Sequence, residues 1–193
     1  MVSQEAHLTP EEAKEQKPLL DKGLVSILTG AGKGKTTSAI GTVIRAVGHG
    51  LRAYVVFFAK GEKFEHGEFN VLVNLPNVTM ANFGRRGWIA KGQTTPEQRE
   101  QAHQAIEAAH QAMLSGEYDL VVLDEINIAI SAKLIEVDEI VRLIEEKPPN
   151  VELILTGRDA DPRLVKMADL VSEILMIKHP FTKGVKARKG IDY

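Results

Sequence analysis

From residue 23 onward the chain alternates short apolar runs with longer stretches in which apolar residues recur every three or four positions. The runs at 24–29, 53–58, 78–83, 120–124, 151–156 and 173–177 predict strands. Two of them, Val121-Val122-Leu123 and Leu153-Ile154-Leu155, have no polar face, as strands covered by helices on both sides require. The periodic stretches predict helices at 35–47, 96–114, 137–146 and 162–168. Thr95, Pro96 and Gln98 supply an N-cap, a first-turn proline and the reciprocal residue of a capping box, and Asp161-Pro162 repeats that grammar. Gly48 and Gly50 are expected to end the first helix as left-handed caps. Strand–helix alternation of this kind predicts a three-layer α/β fold around a mainly parallel central sheet.

Three regions break the alternation. The stretches 59–75 and 84–94 are rich in Gly, Lys, Arg and Asn and follow predicted strands, so they are expected as long irregular loops at the carboxyl edge of the sheet. Residues 1–21 are rich in Glu, Gln and Lys with Pro10 and Pro18 as breakers, and read as an N-terminal arm. Thr9, Pro10 and Glu12 predict a short helix at 10–17 within it. Residues 22–193 are then expected to form one domain, a size that closes a hydrophobic core unaided.

Composition narrows the function classes. Hydrophobic residues at 44% and charged residues at 26% are ordinary for a globular chain, and a net charge of −2 gives no support to broad capture of nucleic acid or an anionic membrane. Without cysteine there is no disulfide, thiolate metal site or thiol nucleophile, which fits a reducing compartment. No apolar run reaches membrane-spanning length, and the first twenty residues lack an apolar signal core; the expectation is a cytoplasmic protein with neither nucleic acid nor membrane as partner.

The chemistry concentrates after the first strand, where Gly30-Ala31-Gly32-Lys33-Gly34-Lys35-Thr36-Thr37 leads into a helix. Glycines let backbone N–H groups turn inward around phosphate oxygens, Lys35 adds positive charge, and Thr36 offers a hydroxyl to Mg²⁺. This is a P-loop, shortened because Thr29 stands where the usual pattern has its first glycine. The fold expected is therefore P-loop NTPase-like. The strand at 120–124 ends in Asp124-Glu125, and in such a protein one of these carboxylates coordinates the magnesium of the nucleotide, directly or through water. The residues leave open which one. Arg158, after the strand at 151–156, either clamps a phosphate or pairs with Asp159 or Asp161. His49 sits at a helix end, and His103 and His110 share one face of the long helix, where structural or surface roles outweigh ligation.

Six segments together resemble the P-loop type ATP:corrinoid adenosyltransferases: TGAGKGKTTSAIGTVIRAVGHG at 29–50, FFAKG at 57–61, HGEFNVL at 66–72, VVLDEIN at 121–127, LTGR at 155–158 and KHPFTKGVKARKGIDY at 178–193. The shortened loop and the ending GVKARKGIDY are the distinctive pair. The resemblance implies transfer of the 5′-deoxyadenosyl group of ATP to the cobalt of a reduced Co(I) corrinoid, with release of triphosphate. It implies ATP and Mg²⁺ at Gly30 to Thr37, catalytic roles for Lys35, Thr36, Glu125 and Arg158, and metal coordination by Thr36 with Asp124 or Glu125. It also implies a homodimer, an electron-donating reductase or flavoprotein, and corrinoid or nucleotide contacts by Lys60, Phe83 and Trp88. No protein nucleophile is needed, because the cobalt of the substrate is one.

One loop departs from the family, whose members carry a Gly-Phe-Thr-Trp cluster before the long helix. Here the sequence is Phe83-Gly84-Arg85-Arg86-Gly87-Trp88, in which Trp88, with Phe83 behind it, is the candidate replacement. Phe83 can equally end a core strand and Trp88 pack the loop. An ordinary P-loop phosphotransferase or NTPase, and a non-catalytic corrinoid or ATP binding protein, are the alternatives in function.

Overall fold

A computed structural model describes residues 20–58, 67–83 and 94–192. In chain order the elements are β1 (Val25–Thr29), α1 (Lys35–Gly48), β2 (Ala53–Phe58), α2 (Gly67–Leu72), β3 (Val78–Phe83), α3 (Pro96–Leu114), β4 (Leu120–Asp124), α4 (Ile126–Ser131), α5 (Val137–Glu145), β5 (Glu152–Thr156), α6 (Pro162–Met167) and β6 (Leu170–Glu173), then a 3₁₀ turn at Pro180–Lys183. The strands form one sheet in the order β3-β2-β4-β5-β1-β6, and every neighbouring pair is parallel.

The sheet has a core on each face, which is why its central strands carry no polar side. On one face Val25, Ile27, Val121, Leu123, Leu153 and Leu155 pack under α3, α4, α5 and α6. On the other Val55, Phe57, Leu120, Val122 and Ile154 meet Ala39, Ile40 and Val43 of α1 and Leu72 of α2. Each of these Val, Leu, Ile and Phe side chains stabilises the fold by about 1.5–3 kcal/mol through burial, so both faces demand their helical layer.

The predicted strands at 53–58, 78–83 and 120–124 agree with the structure residue for residue, as does the helix at 96–114. Thr95 Oγ1 accepts from the Gln98 N–H at 3.2 Å while Gln98 Oε1 accepts from the Thr95 N–H at 2.9 Å. Asp161 caps α6 by accepting the Arg163 N–H at 2.8 Å.

Four details differ from expectation. Gly48 is the last residue of α1, and only Gly50, at φ 83°, is left-handed. The stretch 59–75 contains α2, and α4 directly follows Asp124-Glu125. Its sequence, INIAIS, is β-branched and lacks a side-chain cap, so burial of Ile126, Ala129 and Ile130 overrides local preference. The last strand lies at 170–173 instead of 173–177. Pairing with β1 stops at Thr29↔Glu173 because β1 there turns into the glycine loop, and the more apolar run beyond it is left exposed, Ile177 at 86%. The expected helix at 10–17 and most of the two predicted loops (59–66 and 84–93) fall outside the described residues.

Candidate active site

The carboxyl ends of β1, β4 and β5 converge because the register sets Leu28 beside Thr156 and Leu123 beside Leu155. From β1 the loop 30–34 enters α1 with Gly30 at φ 96° and Gly34 at φ 120°. A Cβ on Gly30 would lie 2.5 Å from the Ile174 carbonyl oxygen, and one on Gly32 2.7 Å from it. The shortened loop is therefore closed against the chain leaving β6, and the Gly32 N–H donates to Ile174 O at 2.7 Å. That donor is spent within the protein instead of pointing into a phosphate cradle.

Lys35, the first residue of α1, is only 7% exposed. Its Nζ donates to the carbonyls of Gly30 at 2.8 Å and Gly32 at 2.7 Å, bridging the loop it belongs to. Burial holds its pKa below the usual lysine value; the carboxylates of Glu125, Asp124 and Asp159 oppose the shift, and Arg158 adds to it. A desolvated cation beside acids is suited to receive further negative charge, since phosphate oxygens would restore what burial removes.

Asp124 is fully buried at the end of β4. Its Oδ1 accepts the hydroxyl proton of Thr156 at 2.7 Å and its Oδ2 that of Thr36 at 3.2 Å. Glu125 adopts φ 65°, ψ 21°, a left-handed conformation unusual for a residue with a side chain, and its N–H donates to Thr156 Oγ1 at 2.9 Å. A hydroxyl and a carboxylate from adjoining elements form an oxygen donor set that fits Mg²⁺, which takes one or two protein oxygens and completes its shell with phosphates and water. Among the described residues no cluster of three or more His, Asp or Glu forms a dedicated cage.

Above this floor lies a cavity of about 720 Å³. Its wall includes residues 32–37, Glu125 and Arg158, α1 at Ile40, Gly41 and Ile44, and Glu68 of α2. Its roof is the chain after β6, notably His179, Phe181, Val185 and Asp192. Lys33 turns outward to this roof, pairing with the Asp192 carboxylate and donating to Ile191 O at 2.6 Å. Arg188 also holds Asp192, Nε to Oδ2 at 3.0 Å. Lys33 first and Arg188 second keep the Asp192 carboxyl well below the usual carboxylate range.

The structure thus gathers Lys33, Lys35, Thr36, Thr37, Glu125 and Arg158 around one cavity, with Asp124 directly beneath. Gly30 and Ala31 belong to the loop but lie outside the cavity wall, and Phe83 closes β3, packed partly buried against the core. Lys60 and Trp88 fall outside the described residues. Asp161, a possible partner of Arg158, is occupied as the cap of α6. The His103 and His110 rings bond Glu139 at 2.9 Å and Glu146 at 2.6 Å, tying α3 to α5 away from the site. Sequence reasoning missed Thr156 and Asp192. Thr156 sits inside the quoted LTGR segment and Asp192 inside the quoted ending, but nothing short of the fold brings that acid to the first loop.

A family profile described as ATP:corrinoid adenosyltransferase BtuR/CobO/CobP matches residues 21–193. The chain is 36% identical over 174 residues to a corrinoid adenosyltransferase of Sinorhizobium, covering 90% of this chain and 81% of the relative. It is 35% identical over 173 residues to one of Escherichia coli K12, with 90% and 87% covered. The corrinoid adenosyltransferase CobA of Salmonella typhimurium is 36% identical over 174 residues, again with 90% and 87% covered. In three dimensions the fold is similar to a KaiC-like protein of Pyrococcus horikoshii, with a TM-score of 0.50, 17% identity, and 82% of this chain and 75% of that one covered. That likeness supports the P-loop architecture alone. The chain belongs to the ATP:corrinoid adenosyltransferase family.

Proposed function

We propose that this protein transfers the 5′-deoxyadenosyl group of ATP to the cobalt of a Co(I) corrinoid and releases intact triphosphate. The observation that carries the reading is the buried Lys35 of a shortened P-loop standing opposite Asp124 and Glu125, in a chain of this family. The electron pair of the reduced cobalt forms the bond to C5′ as the C5′–O bond breaks, and the triphosphate leaves with that bond's electrons.

The protein's part is to orient ATP and to receive the charge of the leaving group. Lys35 and the remaining loop N–H groups hold the triphosphate, and Arg158 reaches it from the end of β5. Thr36 and Asp124, with Glu125 beside them, would hold Mg²⁺, which when bound neutralises part of the phosphate charge. Ile40 and Ile44 on α1, with Phe181 in the roof, supply apolar surface for the organic parts of the substrates. Lys60, Phe83 and Trp88 are proposed corrinoid or nucleotide contacts. Homodimerisation, reduction of the corrinoid by a reductase or flavoprotein, and a cytoplasmic location belong to the same reading; no helix among the described residues is long and apolar enough to cross a membrane.

The test is product identity. Incubation with ATP, Mg²⁺ and chemically reduced corrinoid should give a light-sensitive alkylcobalt product and one triphosphate per turnover. ADP and phosphate as sole products would instead assign an ordinary phosphotransferase or NTPase.

A further inference from the structure

Thr156 ends β5, the strand inserted between the P-loop strand β1 and the acidic strand β4. Its side chain is fully buried. A threonine hydroxyl has one proton to give and lone pairs to receive, and this one uses both capacities. It donates to Asp124 Oδ1 at 2.7 Å and accepts the Glu125 N–H at 2.9 Å. A few ångströms away Thr36 Oγ1 meets the other oxygen of the same carboxylate at 3.2 Å.

We infer that Thr156 is the positioning residue of the metal and nucleotide site, fixing through one hydroxyl both the rotation of the Asp124 carboxylate and the left-handed backbone of Glu125. The inference rests on the Mg²⁺-dependent ATP binding proposed above. With Oδ1 tied to Thr156, the Asp124 carboxylate presents Oδ2 toward Thr36. With its N–H tied to the same oxygen, Glu125 is held at φ 65°, from which its residue lines the cavity instead of continuing β4. A second stitch joins the same two strand ends, since Asn127 Nδ2 donates to Gly157 O at 3.1 Å. Outer partners of this kind tune metal affinity by orienting the inner ligand.

The closing experiment compares Thr156→Val, which keeps the shape and removes the hydroxyl, with Thr156→Ser, which keeps the hydroxyl. ATP affinity is measured by calorimetry with and without Mg²⁺, beside the Mg²⁺ concentration giving half-maximal turnover and the urea midpoint of each variant. In Thr156→Val the gain in ATP affinity on adding Mg²⁺ should shrink, and the half-saturating Mg²⁺ concentration rise, by about tenfold or more. Metal-free ATP binding should fall by less than the Mg²⁺-dependent gain does, and Thr156→Ser should restore most of the Mg²⁺ response. Should Thr156→Val not fold, Thr156→Cys, with only a weak donor, carries the same expectation. A folded hydroxyl-free variant with the wild-type Mg²⁺ response overturns the inference, and so does a Thr156→Ser variant as impaired as Thr156→Val. The adenosyl-transfer reading fails separately, through the wild-type products, because Mg²⁺-dependent ATP binding does not depend on which bond of ATP is cut.

Discussion

The floor and the roof of the cavity are built on opposite principles. Lys35, Asp124 and Thr156 form the floor, all buried, each fixed by the end of a core strand or the start of the first helix. Residues 174–192 form the roof, mostly exposed, with one 3₁₀ turn; their ties to the domain include the Ile174 N–H on Thr29, the Ile174 carbonyl on Gly32, and Lys33 on Ile191 and Asp192. Two lysines two positions apart are thereby put to different uses. Lys35 points in, where desolvation makes its charge effective; Lys33 points out, where solvent weakens any single pair. The difference teaches that the phosphate loop serves as a site on one side and as a clasp on the other. A phosphate that draws Lys33 inward must draw it from Asp192.

The largest break in this comparison is Lys35→Ala. Losing a preorganised buried cation should lower ATP affinity or turnover by about a hundredfold or more, whereas Lys33→Ala should cost far less. Steady-state kinetics at saturating Mg²⁺ measure both, and equal losses would abolish the distinction between floor and roof.

The same asymmetry sharpens with pH. Burial lowers the pKa of Lys35 below its ordinary 10.5, so this cation is lost at lower pH than an exposed lysine would be. The sign follows: its buried charge costs stability below the lowered value, and that cost is relieved as pH rises from there to the ordinary 10.5. Bound triphosphate favours the protonated form and lifts the pKa again. Calorimetry in buffers of different ionisation heat should therefore show proton uptake on ATP binding at alkaline pH, absent in Lys35→Ala. Proton uptake unchanged by that substitution would place the titration elsewhere.

The same contrast explains what could be read from the sequence. Floor and core follow from local signals: unbroken apolar runs for β4 and β5, the cap grammar of α3, and the glycine-rich turn before Lys35, all near one another along the chain. Asp124 could be singled out because an apolar strand ended in acids. Thr156 could not, since a threonine closing a strand looks like any β-branched residue until the strand order puts β5 between β1 and β4. The roof was opaque for another reason. Lys33 and Asp192 are 159 positions apart, and no periodicity reports a contact of that range. The run 173–177 also misled, because apolar character predicts burial and pairing only while a partner strand lasts, and β1 ends first.

The gentlest tests address the clasp. Asp192→Asn should raise the KM for ATP or corrinoid no more than a few-fold, with kcat less affected, because it loosens the roof without touching Lys35, Thr36 or Asp124. If Lys33 and Asp192 act as one unit, Lys33→Met combined with Asp192→Asn should cost little more than the worse of the two singly. Acid should leave the clasp intact over a wide range. Lys33 and Arg188 hold the Asp192 carboxyl well below the ordinary value of about 3.9, so its contribution is present above that value and lost only as pH falls through the depressed one. Hydrogen exchange of the Arg188 amide, which donates to Asp192 Oδ2 at 2.8 Å, reads this directly. Corrected for intrinsic rates, its protection should hold from neutrality to about pH 4 and vanish in Asp192→Ala, which removes the acceptor; loss of protection in the wild type while Asp192 is still ionised would mean that something other than this pair holds the roof.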